Sequence, residues 1–219
     1  MNFRPDHRLV AAAVLLAAAG CRGEANSGAD AGPQAPPAAG LPVEGLGYAT
    51  GLESAPVTVI EFSDFGCPYC AAFALDSYPD LHGEFVLSGQ VRWIYIPFVI
   101  GRFPNGDTAA IAAECAGRQD RFWPMHDMVY ARQSDWRRQG PADELFLEMA
   151  DSIGLDLAEF GTCYRENHPA ERIARHNELA RLAGVRGTPT FVINGRPVEG
   201  ALPPDHFRTL LEWAVAAAE

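Results

Sequence analysis

Two cysteines separated by two residues, Cys67-Pro68-Tyr69-Cys70, are the side chains here whose type and spacing could do chemistry. Three positions apart on a helix, both sulfurs lie on one face. Two thiols so placed can cycle between dithiol and disulfide, one thiolate attacking a partner's sulfur and the other resolving the mixed disulfide. The same pair could also be half of a structural zinc site, or two small apolar side chains in a core. Zinc takes about four ligands. The chain has no second Cys-x-x-Cys and no His-x₃₋₅-His pair, which favours redox chemistry needing neither metal nor cofactor.

The elements around the pair fit that chemistry. Val57-Thr58-Val59-Ile60-Glu61-Phe62 is a β-branched, apolar run that predicts a buried strand, ending at Ser63-Asp64-Phe65-Gly66. Ala71-Ala72-Phe73-Ala74-Leu75 then predicts a helix, with Pro68 in its first turn, where a missing N–H costs nothing. Cys67 therefore stands at a helix N-terminus, beside unpaired N–H groups and the positive end of the helix dipole. Thiols so placed fall from about 8.5 to roughly 3.5–7.5. Cys67 is expected as the exposed nucleophile and Cys70 as the more buried resolving thiol. Pro79 should bend or end the helix. Val91 to Phe98 is the next strand, and two strands joined by a helix make a parallel βαβ unit.

Far downstream lies Gly187-Thr188-Pro189-Thr190-Phe191-Val192-Ile193-Asn194-Gly195. It predicts a strand opened by a proline, then an Asn-Gly hairpin to Pro197-Val198-Glu199. Strand, Cys-Pro-Tyr-Cys and helix, paired with this second motif, resemble the thioredoxin superfamily. The long helical stretch between them resembles its DsbA-like branch of extracytoplasmic disulfide oxidoreductases. The resemblance covers residues 46–219 and implies an α/β thioredoxin fold: a central mixed sheet flanked by helices, with an all-helical subdomain inserted at about 103–178. It implies that Pro189 follows a cis peptide bond beside the dithiol, the alternative being an ordinary trans proline. The Thr188 backbone would then pair with a visiting peptide in β fashion, with Pro68 and Tyr69 at the same surface. It also implies an acid beneath the dithiol at Glu61, able to take the resolving thiol's proton. The alternative for Glu61 is a solvated charge at a strand end.

Within the helical stretch, Asp107 is expected to cap a helix over 108–116, and Pro141 to open another. Phe122, Met125, Met128 and Val129 recur at helical spacing and are expected in a core rather than around a cofactor. His126 is expected to be structural. Cys115 and Cys163 fall late in two of these helices. In an exported protein two remaining thiols usually pair, as some DsbA-like proteins have them, so a structural disulfide is expected there rather than two free core thiols.

Export is suggested at the start. Arg4 and Arg8 precede an apolar stretch from Leu9 to Ala19, too short to span a bilayer. It ends Ala17-Ala18-Ala19-Gly20-Cys21, which resembles a bacterial lipobox with Ala18 where leucine is usual. Residues 1–20 are thus expected as a lipoprotein signal peptide and Cys21 as the lipidated residue. The alternative is a secreted soluble protein cut nearby. Residues 21–45, rich in Ala, Gly and Pro, predict a disordered tether or a functionless pro-segment. The net charge of −11 makes nucleic acid an unsuitable partner. All 17 basic residues are arginine, a bias that carries no functional reading.

The expected function is a monomeric extracytoplasmic thiol:disulfide oxidoreductase, introducing disulfides into unfolded, cysteine-containing exported proteins. A membrane or thioredoxin-like redox partner would recycle it. Tyr69 supplies no cation to Cys67, so a reductase or isomerase of the same fold is the alternative. From another class, Cys67 and Cys70 could hold Cu(I), although extra Met or His ligands are lacking.

Overall fold

Apolar side chains recur along the whole of two central strands, as expected where helices cover both faces of a parallel pair. In the computed structural model, which describes residues 41, 43, 45–138 and 140–218, these strands are β2 (Val57–Ser63) and β3 (Val91–Pro97). They run parallel, from Val57 opposite Val91 to Ser63 opposite Pro97. The short strand β1 (Tyr48–Thr50) pairs antiparallel with β3. On the other side β4 (Thr190–Ile193) pairs antiparallel with β2, and β5 (Arg196–Glu199) with β4. The mixed five-stranded order is β1-β3-β2-β4-β5. Asn194 (φ 44°) and Gly195 (φ 82°) both take the left-handed conformation that a two-residue type I′ hairpin requires. The leader, Cys21 and most of the expected tether lie outside the described residues.

The helix after the dithiol differs from expectation. Helix α1 (Pro68–Ala72) passes through a π-helical turn (Phe73–Ser77) into α2 (Tyr78–Leu81) and a second π turn (His82–Val86). Pro79 does not break this path. The Tyr78 N–H reaches back five residues to the Phe73 carbonyl, and Pro79 takes the opening turn of α2, where no N–H is required.

Five helices follow: α3 (Gly106–Gly117), α4 (Phe122–Ala131), α5 (Gln133–Trp136), α6 (Asp143–Ser152) and α7 (Leu157–Arg165). Asp107 does not cap α3. The residue at that boundary is Asn105, in the left-handed conformation that asparagine tolerates, and Asp107 falls within the first turn. Helix α6 starts at Asp143, two residues after Pro141. Alanines 109, 112, 113 and 116 are buried with Met125, Val129, Phe146, Met149 and Phe160, so the Met and aromatic stripes form a core. Cys115 of α3 and Cys163 of α7 are bonded, S–S 2.04 Å.

Two further helices close the sheet. On one face Val59, Trp93 and Phe191 pack with Phe73 and with Phe207 and Leu211 of α9 (Pro204–Ala216). On the other, Ile60, Phe62, Ile94 and Val192 pack against Leu179 and Ala180 of α8 (Ala170–Leu182). No helix among the described residues is long and apolar enough to cross a membrane.

Candidate active site around the Cys67 and Cys70 dithiol

The turn that delivers the dithiol is pinned from three sides. Asp64, buried at the end of β2, accepts hydrogen bonds from the N–H of Gly66 (2.8 Å) and of Ile100 (2.9 Å). It thereby ties the turn to the connection leaving β3. Burial pushes its carboxyl up, and the two N–H donors pull it down. Gly66 has no room for a side chain: a Cβ there would stand 2.4 Å from Phe103 Cβ. From α5, the buried Gln133 amide donates to the carbonyls of Phe65 (2.6 Å) and Cys67 (3.0 Å).

Cys67 then caps α1 with extended backbone (φ −78°, ψ 123°), and its carbonyl accepts the Ala71 N–H at 3.1 Å. Cys70 follows within the helix. The Thr188–Pro189 peptide is cis, and the Thr188 carbonyl lies 3.4 Å from Cys67 Sγ, accepting from the thiol. The structure thus brings together Cys67, Cys70, Thr188 and Pro189 from segments more than a hundred residues apart.

One expectation needs correcting. Cys67 is not exposed: it is 1% accessible and Cys70 0%. The turn is packed on Phe103 and the Thr188 carbonyl stands on the Cys67 sulfur, so the exposed part of the motif is Pro68 and Tyr69. The difference between the sulfurs is electrostatic. The Cys67 thiol is lowered to about 6, chiefly by a hydrogen bond from Cys70 that outweighs burial, with the backbone N–H groups of Cys70 and Tyr69 adding to it. Helix-end donors thus contribute, but the partner thiol is the larger influence. Cys70 is pushed well above the ordinary thiol range by burial and by Cys67 itself.

Glu61 lies on the same face of β2 as Val57 and Val59, 3% exposed rather than solvated. It accepts from Ser63 Oγ at 2.6 Å and from Trp93 Nε1 at 2.9 Å. Burial raises its pKa, opposed by Ser63, His126 and Trp93. His126 is buried among Tyr95, Trp123 and Tyr130 and pairs with Asp127 at 2.9 Å. Sequence reasoning missed three supporting residues: Ser63, Asp64 and Gln133. An Asp two residues before a Gly in a turn is a readable signal for Asp64. Gln133 has none, since its helix is four residues long. Two soft sulfur donors are available at the site, and no cluster of three or more His, Cys, Asp or Glu suited to a metal occurs among the described residues.

A family model described as Thioredoxin matches residues 45–213. "Disulfide bond formation protein D" of Bacillus subtilis is 27% identical over 168 residues, covering 74% of each chain. "Na(+)/H(+) antiporter NhaA 3" of Salinispora tropica is 39% identical over 155 residues, which are 70% of this chain but 22% of that protein. This chain spans about a quarter or less of the three antiporters it matches in this way. Among solved structures, oxidised BdbD from Bacillus subtilis superposes with a TM-score of 0.72 at 23% identity, over 80% of this chain and 95% of that one. Alpha-DsbA1 of Wolbachia pipientis gives 0.70 at 20% identity, over 78% and 91%.

Proposed function

We propose a reaction from the premise that this chain belongs to the thioredoxin family and has the DsbA-like fold: it is a protein disulfide oxidoreductase that works by exchange at Cys67 and Cys70. One observation carries this reading. Two neighbouring thiols are split, Cys67 lowered to about 6 and Cys70 pushed far up, and the Cys67 sulfur sits against the Thr188 carbonyl. Such a pair divides the labour: Cys67 is the thiolate that attacks and leaves readily, and Cys70 is held as a thiol until it resolves. A protein named for disulfide bond formation among the relatives supports the same reading.

In the oxidising direction a substrate thiolate attacks Cys67 Sγ of the Cys67–Cys70 disulfide. The S–S bond breaks, its electron pair goes to Cys70, and Cys70 takes up a proton from Glu61. The substrate's second thiolate then attacks the substrate sulfur of the mixed disulfide and releases Cys67 as its stable anion. The Thr188 backbone offers a β-pairing edge to the visiting chain, and Tyr69, 68% exposed, and Pro68 form the surface it meets. Structural pairing of Cys115 with Cys163 fits an oxidising compartment. We therefore place the protein outside the cytoplasm, and the leader motif ending Ala19-Gly20-Cys21 supports a lipid anchor at Cys21. Its partners are unfolded, cysteine-containing exported proteins and a membrane or thioredoxin-like protein that re-oxidises the dithiol.

The test is refolding of a reduced, unfolded test protein with oxidised enzyme and no added metal. Disulfides are expected to appear with the wild-type protein and not with Cys67→Ala. Insulin reduction without net oxidation would assign the reductase direction instead, and tight Cu(I) binding with no exchange would overturn the reading.

A further inference from the structure

Cys70 is fully buried, yet it must gain a proton when it leaves the disulfide and lose one when it resolves. Solvent does not reach it: Cys70, Ser63 and Glu61 are all 3% exposed or less. Ser63 stands between the other two. Its hydroxyl donates to Glu61 Oε1 at 2.6 Å, and the same side chain hydrogen-bonds to Cys70. The second carboxylate oxygen, Oε2, is held by Trp93 Nε1 at 2.9 Å, which leaves Oε1 as the oxygen open to proton exchange. Ser63 and Glu61 are two residues apart on β2, so both side chains project to one face of the sheet. A hydroxyl can donate and accept at once, as a bridge between acid and thiol requires.

We propose that Ser63 is the relay that passes the Cys70 proton to and from Glu61. The inference rests on the exchange reading above. When a substrate thiolate breaks the Cys67–Cys70 bond, the proton on Glu61 Oε1 moves to Ser63 Oγ. The Ser63 proton moves to the Cys70 sulfur, which has received the bond's electron pair. One proton leaves the carboxyl, one arrives at the thiolate, and serine ends as a neutral hydroxyl. The hydroxyl then donates to the Glu61 carboxylate, as it does in the structure with both cysteines free, and its oxygen is left to accept from the Cys70 thiol. Resolution by Cys70 runs the same path backwards.

Other groups facing Glu61 are Tyr78 of α2, Tyr95 of β3, and His126 and Tyr130 of α4. Burial pushes all three phenols up, so they stay neutral between pH 5 and 9.

The test follows oxidised full-length protein mixed with reduced glutathione, by acid quench and mass, from pH 5 to 9 in H₂O and D₂O. In the wild type the rate per glutathione thiolate is expected to fall as Glu61 loses its proton, with a solvent isotope effect. Ser63→Ala is expected to slow the step roughly 10- to 100-fold and to abolish both the inflection and the isotope effect. Glu61→Gln should match it, with the double variant no slower than either single one. Ser63→Thr keeps the hydroxyl and should keep the inflection whatever its absolute rate, so it stands in if Ser63→Ala does not fold. His126→Asn should move the inflection without removing it. A Ser63→Ala protein that is slow but keeps the inflection, additive losses in the double variant, or loss of the inflection in Ser63→Thr would overturn the relay. A wild-type protein that does not react with glutathione would overturn the exchange reading itself.

Discussion

At pH 7 a thiol lowered to about 6 is mostly thiolate, so Cys67 carries its reactivity as a standing charge. That charge also sets a pH dependence of stability. The folded pKa lies below the unfolded value of about 8.5, so the reduced fold gains stability above that value and loses it as pH falls through about 6. The urea midpoint of the reduced protein, compared with that of Cys67→Ala, is expected to rise between pH 5 and 9; a constant difference would contradict the lowered thiol. Tyr69 bears on the potential. It is exposed and uncharged, so Tyr69→His places a cation beside the Cys67 thiolate. A Cys67 pKa lowered by a further one to two units should raise the potential by about 30–60 mV in a glutathione titration, and an unchanged or lower value would reject this control. The cysteines were legible because the chemistry of their spacing is local, whereas Glu61 came from the resemblance to the DsbA-like branch. Burial of Cys67 was not legible, because it depends on Thr188, 121 positions away.

Elements hold the site at its working geometry, and α5 shows how indirectly. Its four residues carry no periodicity that a sequence reading could use, yet Gln133 satisfies two buried carbonyls of the dithiol turn. Gln133→Ala leaves both without that partner and is expected to cost about 1–3 kcal/mol in urea unfolding. It should also slow exchange at Cys67, whereas retention of both would show that α5 does not brace the turn. Strands β2 and β4 were legible because β-branched residues and an Asn-Gly turn act locally. The π turns around Pro79 were not, since a local reading of proline misses a backbone that reaches one residue further back.

Across the whole molecule, the thioredoxin sheet and helices α3–α7 are joined without a break in the chain, and the bridge from Cys115 to Cys163 closes a segment of 48 residues. Removing it as Cys115→Ala/Cys163→Ala is expected to cost about 4 kcal/mol by loop entropy. Thermal unfolding checks this, and an unchanged melting temperature would show that the bridge contributes little. The helical insertion was legible as helices but not in its boundaries, which are set by packing between α3 and its neighbours rather than by Asp107 or Pro141. The most direct measurement is covalent trapping. Cys70→Ala, incubated with a protein bearing accessible disulfides such as insulin, should accumulate a mixed disulfide through Cys67, released by dithiothreitol and absent in Cys67→Ala/Cys70→Ala. If no such adduct forms, or if it forms equally when Cys67 is missing, Cys67 is not the exchanging sulfur.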